Sequence, residues 1–106
     1  MPKYMFQANL AVEGVKGLIK EGGTNRRLAI EKTVQSVGGK LEGFYFAFGA
    51  TDVFVIVDLP DNTAAAAVAL SVSSSGSVAA RTTVLLTPEE MDMAVKKVPV
   101  FRAPGQ

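Results

Sequence analysis

Two apolar segments in the middle of the chain, separated by three residues, constrain the fold more than any other feature. Leu41 to Phe48 is rich in aromatic residues, and Asp52 to Leu59 is rich in β-branched ones. Both compositions favour β-strands, and the connection Gly49-Ala50-Thr51 is short enough for a hairpin. The centre of the chain is therefore predicted to be an antiparallel pair of strands, to which the other elements must add.

On either side of this hairpin, strand and helix signals alternate. Hydrophobic spacing and turn residues locate these elements, and Thr24 and either Asp61 or Asn62 are the candidate caps of two of the helices. The predicted strands are 4–10 and 78–86, the predicted helices are 12–20, 25–37 and 63–73, and Thr87-Pro88-Glu89-Glu90 opens a last helix.

The order of these elements predicts one α+β domain over residues 1–106, with 99–106 as an extended tail. A β-α-β-β-α-β order followed by a C-terminal helix is typical of the ferredoxin-like fold, an antiparallel sheet with helices on one face. A chain of this length has room for a single domain.

The two faces of the predicted sheet are both apolar, which indicates that the protein has a partner. One face, with Val53, Val55 and Val57, can pack on the helices. A Phe-rich opposite face would invite aggregation if it met water, so we expect a second copy to cover it in a homo-oligomer. The opposite face is predicted to carry Met5, Phe44, Phe46, Phe48, Phe54, Ile56 and Leu85, with Gln7, Asn9, Asp58, Arg81 and Thr83 among them.

The composition removes several classes of function. The chain has no cysteine and no histidine, which excludes disulfides, thiolate catalysis, a Ser–His–Asp triad and the commonest metal ligands. We expect no cofactor and no metal site, since Glu89, Glu90 and Asp92 are explained by the N-terminal turn of a helix. Eleven basic and ten acidic residues give a net charge of +1, which argues against nucleic-acid and membrane partners. Without an apolar leader or a membrane-length apolar run, we expect a cytoplasmic protein.

Several short motifs, in order and at fitting spacing over nearly the whole chain, make it similar to a known family. The motifs are Gly17 to Gly23, Arg26-Arg27, Gly38-Gly39, Tyr45 to Gly49, Asp52, Asp58 to Asp61 and Leu85 to Glu90. The chain resembles the GYD-domain family of small, mostly bacterial proteins. The resemblance implies a ferredoxin-like fold of the dimeric α/β-barrel type and no established activity. Thr51 stands where the family has the tyrosine of its Gly-Tyr-Asp triplet.

Three sets of polar residues are candidate sites, each with a structural alternative. Asp52 could be an acid at the mouth of a barrel, or it could accept backbone N–H groups and shape the turn. Gly22 to Arg27, with Arg26 and Arg27, could bind an anion at a helix N-terminus, or the arginines could pair with nearby acids. Arg81 could join Asn9 in a ligand cleft, or it could pair with Asp58 inside an interface.

Three hypotheses for the function follow. The first is a non-enzymatic, self-assembling homo-oligomer that binds a small-molecule or anionic ligand or a protein partner. The second is a cofactor-independent enzyme of the monooxygenase or isomerase type, with Asp52 or Asp58 as the base and Tyr45, Asn9 or Arg81 polarising substrate oxygens. The lack of histidine counts against it, although a desolvated carboxylate can serve as a base. The third, with less support, is a trimeric signalling protein that senses anions through Gly22 to Arg27.

Overall fold

The computed structural model describes residues 1–106 and contains one four-stranded sheet and four helices. The strands follow the order β2-β3-β1-β4, and every neighbouring pair is antiparallel. This arrangement confirms the predicted α+β, ferredoxin-like fold. The elements are β1 (Lys3–Leu10), α1 (Val12–Glu21), α2 (Gly23–Ser36), β2 (Lys40–Phe46), β3 (Val53–Asp58), α3 (Asn62–Ser74), β4 (Val78–Leu85) and α4 (Pro88–Val95).

The core lies between the helices and one face of the sheet. Across the central strand pair, Tyr4 lies opposite Val57 and Phe6 lies opposite Val55, and all four side chains are buried. Alternation along a strand sends every second side chain to the same face, so the prediction that these residues face the helices is confirmed. The helices complete the core with Val34 of α2 and with Ala65 and Val68 of α3.

A β-bulge in β2 changes which of its side chains enter the core. Leu41 lies opposite Val57, but Gly43, not Glu42, lies opposite Ile56. One extra residue reverses the alternation beyond it. Phe44 and Phe46 therefore point to the helices, and their prediction as residues of the opposite face is wrong.

The sheet surface away from the helices is called the open face. Its central residues Met5, Phe54 and Ile56 are half-buried, and Tyr45 is exposed. Register and alternation assign to it Lys3, Met5, Gln7 and Asn9 of β1, Gly43 and Tyr45 of β2, Phe54, Ile56 and Asp58 of β3, and Ala79, Arg81, Thr83 and Leu85 of β4.

The junction between α1 and α2 is a single glycine. Gly22 has φ +82°, its N–H donates to the carbonyl of Leu18, and its carbonyl accepts from the N–H of Arg26. Because glycine adopts positive φ without a steric penalty, one helix ends and the next begins at this residue. Thr24 consequently lies inside α2, and its prediction as the N-cap is wrong.

The other predicted helix starts are confirmed. The Asp61 carboxylate accepts the N–H of Ala64 at 2.9 Å and caps α3. Thr87 and Glu90 form a reciprocal capping box at the start of α4, with Pro88 in the first turn. None of the helices is long and apolar enough to cross a lipid bilayer.

β2 ends two residues earlier than predicted, at Phe46. The N–H of Ala47 donates to the carbonyl of Asp52 at 2.8 Å, and this bond closes the loop between β2 and β3. Phe48 lies in that loop and is fully exposed, so its prediction as a residue of the opposite sheet face is wrong.

Residues 88–106, called here the C-terminal arm, extend away from the rest of the molecule. Every residue from Pro88 to Gln106 is exposed. The radius of gyration is 16.8 Å, and the longest dimension is 57 Å. A compact chain of this length has a radius of gyration of about 13 Å, so the arm projects beyond the sheet–helix body.

Candidate functional site

An apolar cleft of about 320 Å³ lies between the helices and one end of the sheet. Because β1 and β2 end there and β3 and β4 begin there, the inward-facing residues of all four strands converge. The helices supply the opposite wall. The main apolar lining residues are Phe6, Ala8, Phe44, Phe46, Val53, Val55 and Ala80 from the sheet and Leu18, Ile30, Val68 and Val72 from the helices.

Two glycines of α1 give the cleft its shape. At Gly14, an added Cβ would lie 2.4 Å from the Ser77 carbonyl oxygen. Only glycine at this position therefore allows α1 to lie so close to the segment that precedes β4. At Gly17, an added Cβ would have no atom within 4 Å, although this residue lines the cleft. The first glycine permits close packing, and the second leaves space.

The rim of the cleft is polar. Glu13, Glu21 and Arg26 lie among its lining residues, together with Thr33 and Ser71. An Arg26 Nη1 atom lies 3.5 Å from an Oε1 atom of Glu21, and both side chains are 39% exposed. This ion pair is therefore solvated and can rearrange at low cost, which leaves both groups able to meet a polar atom of a ligand.

The structure separates the two arginines predicted to bind an anion. Arg26 lies at the rim of the cleft and pairs with Glu21, as the structural alternative predicted. Arg27 is exposed and does not line the cleft. The segment Gly22 to Arg27 thus contributes one side chain to the cleft, and it does so from the first turn of α2.

A second polar group, called here the Arg81 cluster, lies at the same end of the sheet but on the open face. Arg81 Nη2 donates to Thr51 Oγ1 at 3.0 Å, and its Nη1 lies 3.4 Å from Asn9 Oδ1. Asn9 Nδ2 donates to the carbonyl of Ala50 at 2.7 Å. These bonds fasten the β2–β3 loop to β1 and β4, and Thr51 is buried beneath them.

Asp52 belongs to the same loop and binds backbone. Its carboxylate Oδ2 accepts the N–H of Leu10 at 2.9 Å. This is the geometry of the turn-shaping alternative for Asp52.

Asp58 lies at the other end of the open face, so it does not pair with Arg81 within one chain. In the register, Asp58 faces Lys3 of β1, whereas Arg81 faces Gln7. Four residues along a strand correspond to about 13 Å. Asp58 Oδ1 instead accepts from Lys3 Nζ at 2.8 Å.

Lys3 also donates to Glu42, the bulged residue of β2. The hydrogen bond to Asp58, followed by that to Glu42, raises the pKa of Lys3 above its usual value of 10.5. The lysine therefore links β1, β2 and β3 at this end of the sheet.

Tyr45 is on the open face but distant from the Arg81 cluster. Tyr45, Phe54, Gln7 and Arg81 lie side by side across the sheet, on β2, β3, β1 and β4 in that order. Three inter-strand spacings amount to about 14 Å. Asp58 is six residues from Asp52 along the chain, about 20 Å in an extended strand, so the two candidate carboxylates are not brought together. Tyr45 lies opposite Phe54, two residues from Asp52, which makes Tyr45 and Asp52 diagonal neighbours across the strand pair.

The cleft itself was not predicted from the sequence, although two residues point to it. Gly14 and Gly17 interrupt a helical pattern, and glycine lowers helix stability by about 1 kcal/mol relative to alanine. In α1 they permit a close approach and leave a space, and that is the signal that could have located the cleft.

Comparison with known proteins identifies the family. The model of the GYD domain matches residues 4–95, which include all four helices and the whole sheet except Lys3. No curated protein and no solved structure shows significant similarity to the chain. The matched range covers most of the chain, and we conclude that it belongs to the GYD domain family.

Proposed function

We propose that the protein is a self-assembling homo-oligomer, each copy of which binds a small molecule in the cleft between its helices and its sheet. The observation that carries the ligand part of the proposal is the cleft of about 320 Å³. Small-molecule sites in proteins occupy roughly 300–1,000 Å³ and combine apolar walls with a few polar groups. The cleft has both properties.

The lining indicates the class of ligand. Aromatic and aliphatic side chains form the walls, and the ion pair of Glu21 and Arg26 lies at the rim. A molecule with an apolar body removes water from the walls, which is favourable in proportion to the area covered. A polar end of the same molecule remains at the rim, where it can accept from Arg26 or donate to Glu21. The ligand is therefore a small amphipathic compound.

The open face supports the self-assembly part of the proposal. Met5, Phe54 and Ile56 form an apolar centre, and the ends of the face carry the Arg81 cluster and the Lys3–Asp58 pair. An apolar centre with a polar border is the usual composition of a protein interface. A second copy of the same face is self-complementary about a two-fold axis.

Fluorescence titration with anilinonaphthalene sulfonate, an amphipathic dye, tests the ligand site. We expect saturable binding at one site per chain. The variant Gly17→Leu places a side chain in the empty space of the cleft, and it should remove this binding without loss of stability, because leucine favours a helix over glycine. Lys16→Leu adds the same side chain at the neighbouring position, which does not line the cleft, and is the matched control. Equal dye binding by Gly17→Leu and the control would overturn the ligand proposal.

Native mass spectrometry of the freshly purified protein tests self-assembly and ligand binding together. We expect a discrete oligomer, with any retained ligand seen as an added mass. Ile56→Lys introduces a charge at the apolar centre of the open face and should produce monomers, whereas Ser73→Lys, on the exposed side of α3, should leave the oligomer intact. A monomeric wild-type protein would refute self-assembly.

A further inference from the structure

The C-terminal arm holds apolar side chains that are largely exposed in their own chain. Met91 and Val95 are spaced at i and i+4, on one face of α4. Val98, Val100 and Phe101 continue this apolar character beyond the helix. All five side chains are at least half exposed. Exposed apolar residues scattered singly are ordinary, but a contiguous apolar surface marks an interaction site.

The hydrogen bonds of the arm are local. They join Met91 to Thr87 and Arg102 to Gln106, and the remainder close turns within the arm. No salt bridge connects residues 88–106 to the rest of the molecule. No hydrogen bond or salt bridge therefore ties the arm to the sheet–helix body of its own chain.

α4 is also too short to be stable alone. It has eight residues, and isolated helices shorter than about 12–15 residues are marginal in water. Its capping box and its proline specify where the helix starts, but most helix stability in proteins comes from packing of an apolar face. The helix therefore requires a surface on which Met91 and Val95 can pack.

The open face offers a limited area for a two-copy interface. Four strands spaced by about 4.8 Å, with about 3.3 Å per residue over about seven residues, give a flat footprint of roughly 450 Å². A standard interface buries about 800 Å² of accessible surface on each partner. The arm begins three residues after Leu85, a residue of the open face, so it can extend the same interface and add to the buried area.

We infer that the C-terminal arm packs on a second copy of the chain, with the apolar residues of α4 and Phe101 buried against the partner's body in a reciprocal exchange of arms. This inference rests on the self-assembly proposed above and names the segment that completes it. In a two-fold pair, each body receives the arm of the other copy, so that no arm remains exposed.

The charge of the arm favours a second copy over a strongly charged partner. Glu89, Glu90 and Asp92 balance Lys96, Lys97 and Arg102, and the whole chain has a net charge of +1. Two copies therefore meet without net repulsion. An arm that binds a nucleic acid or an acidic protein would instead carry mainly positive charges.

A fluorescent label on the arm tests the inference directly. The chain has no cysteine, so Arg102→Cys creates a single labelling position next to Phe101. Sedimentation velocity gives the oligomeric state at each protein concentration, and quenching by iodide gives the exposure of the dye. We expect the dye to become shielded over the same concentration range in which the oligomer forms. Shielding that is independent of concentration would show that the arm folds on its own body and would overturn the inference.

Substitutions in α4 provide a second measurement on the full-length chain. Met91→Gln with Val95→Gln removes the apolar face while keeping good helix formers, and it should raise the dissociation constant by about tenfold or more. Asp92→Gln with Lys96→Gln, elsewhere on α4, is the matched control and should leave the constant unchanged. If the Met91/Val95 variant assembles like the wild type while Ile56→Lys does not assemble, the arm inference is wrong and the proposed self-assembly stands. If the wild type never assembles, both are wrong.

Discussion

The backbone N–H of Leu10 donates a hydrogen bond to the Asp52 carboxylate at 2.9 Å, which joins the last residue of β1 to the residue before β3. The backbone of Asp52 makes two further bonds, since its N–H donates to the carbonyl of Ala8 and its carbonyl accepts from Ala47. One residue thus closes the β2–β3 loop and fixes it to β1. The Arg81 cluster lies directly beside this junction.

Asp52→Ala is expected to lower the free energy of unfolding by about 1.5–3 kcal/mol, because a hydrogen bond to a charged acceptor is lost and the Leu10 N–H is left without its partner. Urea denaturation at fixed protein concentration measures the change. Asp92→Ala removes a carboxylate that has no partner in its own chain and should change stability by no more than about 0.5 kcal/mol. Full stability of Asp52→Ala together with a loss of ligand binding would instead assign Asp52 to the binding site.

Two neighbouring residues of β2 are expected to affect different properties. Phe46 lines the cleft, whereas Tyr45 lies on the open face. Phe46→Ser should weaken dye binding in the cleft and leave the dissociation constant of the oligomer unchanged. Tyr45→Ser should do the reverse, since it removes an exposed ring from the open face. Fluorescence titration and sedimentation on both variants check the pair of outcomes, and a swap of the two effects would contradict the bulged register.

Stability at high pH is expected to depend on Lys3. Its pKa is raised by its hydrogen bonds to Asp58 and then to Glu42, so folding favours the ammonium form. The corresponding stabilisation is fully present below the usual pKa of 10.5 and is lost as the pH rises through the raised folded value. Lys3→Met should therefore lose less stability than the wild type over this range. Urea denaturation of both proteins at a series of pH values from 9 upward measures this difference. If the free energy of unfolding falls equally with pH in both proteins, the ammonium group of Lys3 does not contribute to the loss.

Gly39→Ala is expected to destabilise the fold by about 1–3 kcal/mol, the usual cost of overpacking a core. A Cβ at this position would lie 2.5 Å from Leu59 Cδ2, 2.7 Å from the Asp58 carbonyl oxygen and 2.9 Å from Val34 Cγ1. Gly49→Ala is the control, because a Cβ there has no atom within 4 Å. Thermal unfolding of both variants provides the comparison. Equal unfolding temperatures would show that the core accommodates an added methyl group at Gly39.

Most of the fold could be predicted from the order of the strand and helix signals. The hairpin around Gly49 and the alternation of Val53, Val55 and Val57 identified both the sheet and its core face. These predictions succeeded because they depend on local periodicity, which each segment of the chain carries by itself. The caps at Asp61 and Thr87 succeeded for the same reason.

The positions of the Phe44 and Phe46 side chains could not be predicted in this way. Apolar residues stand at Leu41, Phe44, Tyr45 and Phe46, so either parity of β2 offers an apolar face to the core. The bulge at Gly43 determines which of the two sets faces the core. A glycine inside a strand often marks a bulge, but it does not by itself establish one. The separation of Asp58 from Arg81 within the chain was not predictable for a related reason, since a shared face does not specify the register along the strands.

The candidate site could be predicted only in part. The sequence singled out Arg26, which lies at the rim of the cleft, whereas Asn9 and Arg81, the other predicted ligand-binding residues, lie on the open face. The cleft depends on how far α1 stands from the strands, and this distance depends on the close approach at Gly14 and on the single-residue junction at Gly22, which are tertiary effects. The partners of Asp52 are likewise set by the loop geometry.

The bulge in β2 has a consequence for how this region of the protein can change. A substitution at Glu42 or Tyr45 alters one side chain, and the alternation of its neighbours is kept. Deletion of Glu42 would restore regular pairing and keep Phe44 and Phe46 facing the helices, because Leu41 and Phe44 would then be two residues apart. In homologous chains, this strand can therefore lack the extra residue and still present the same side chains to the cleft.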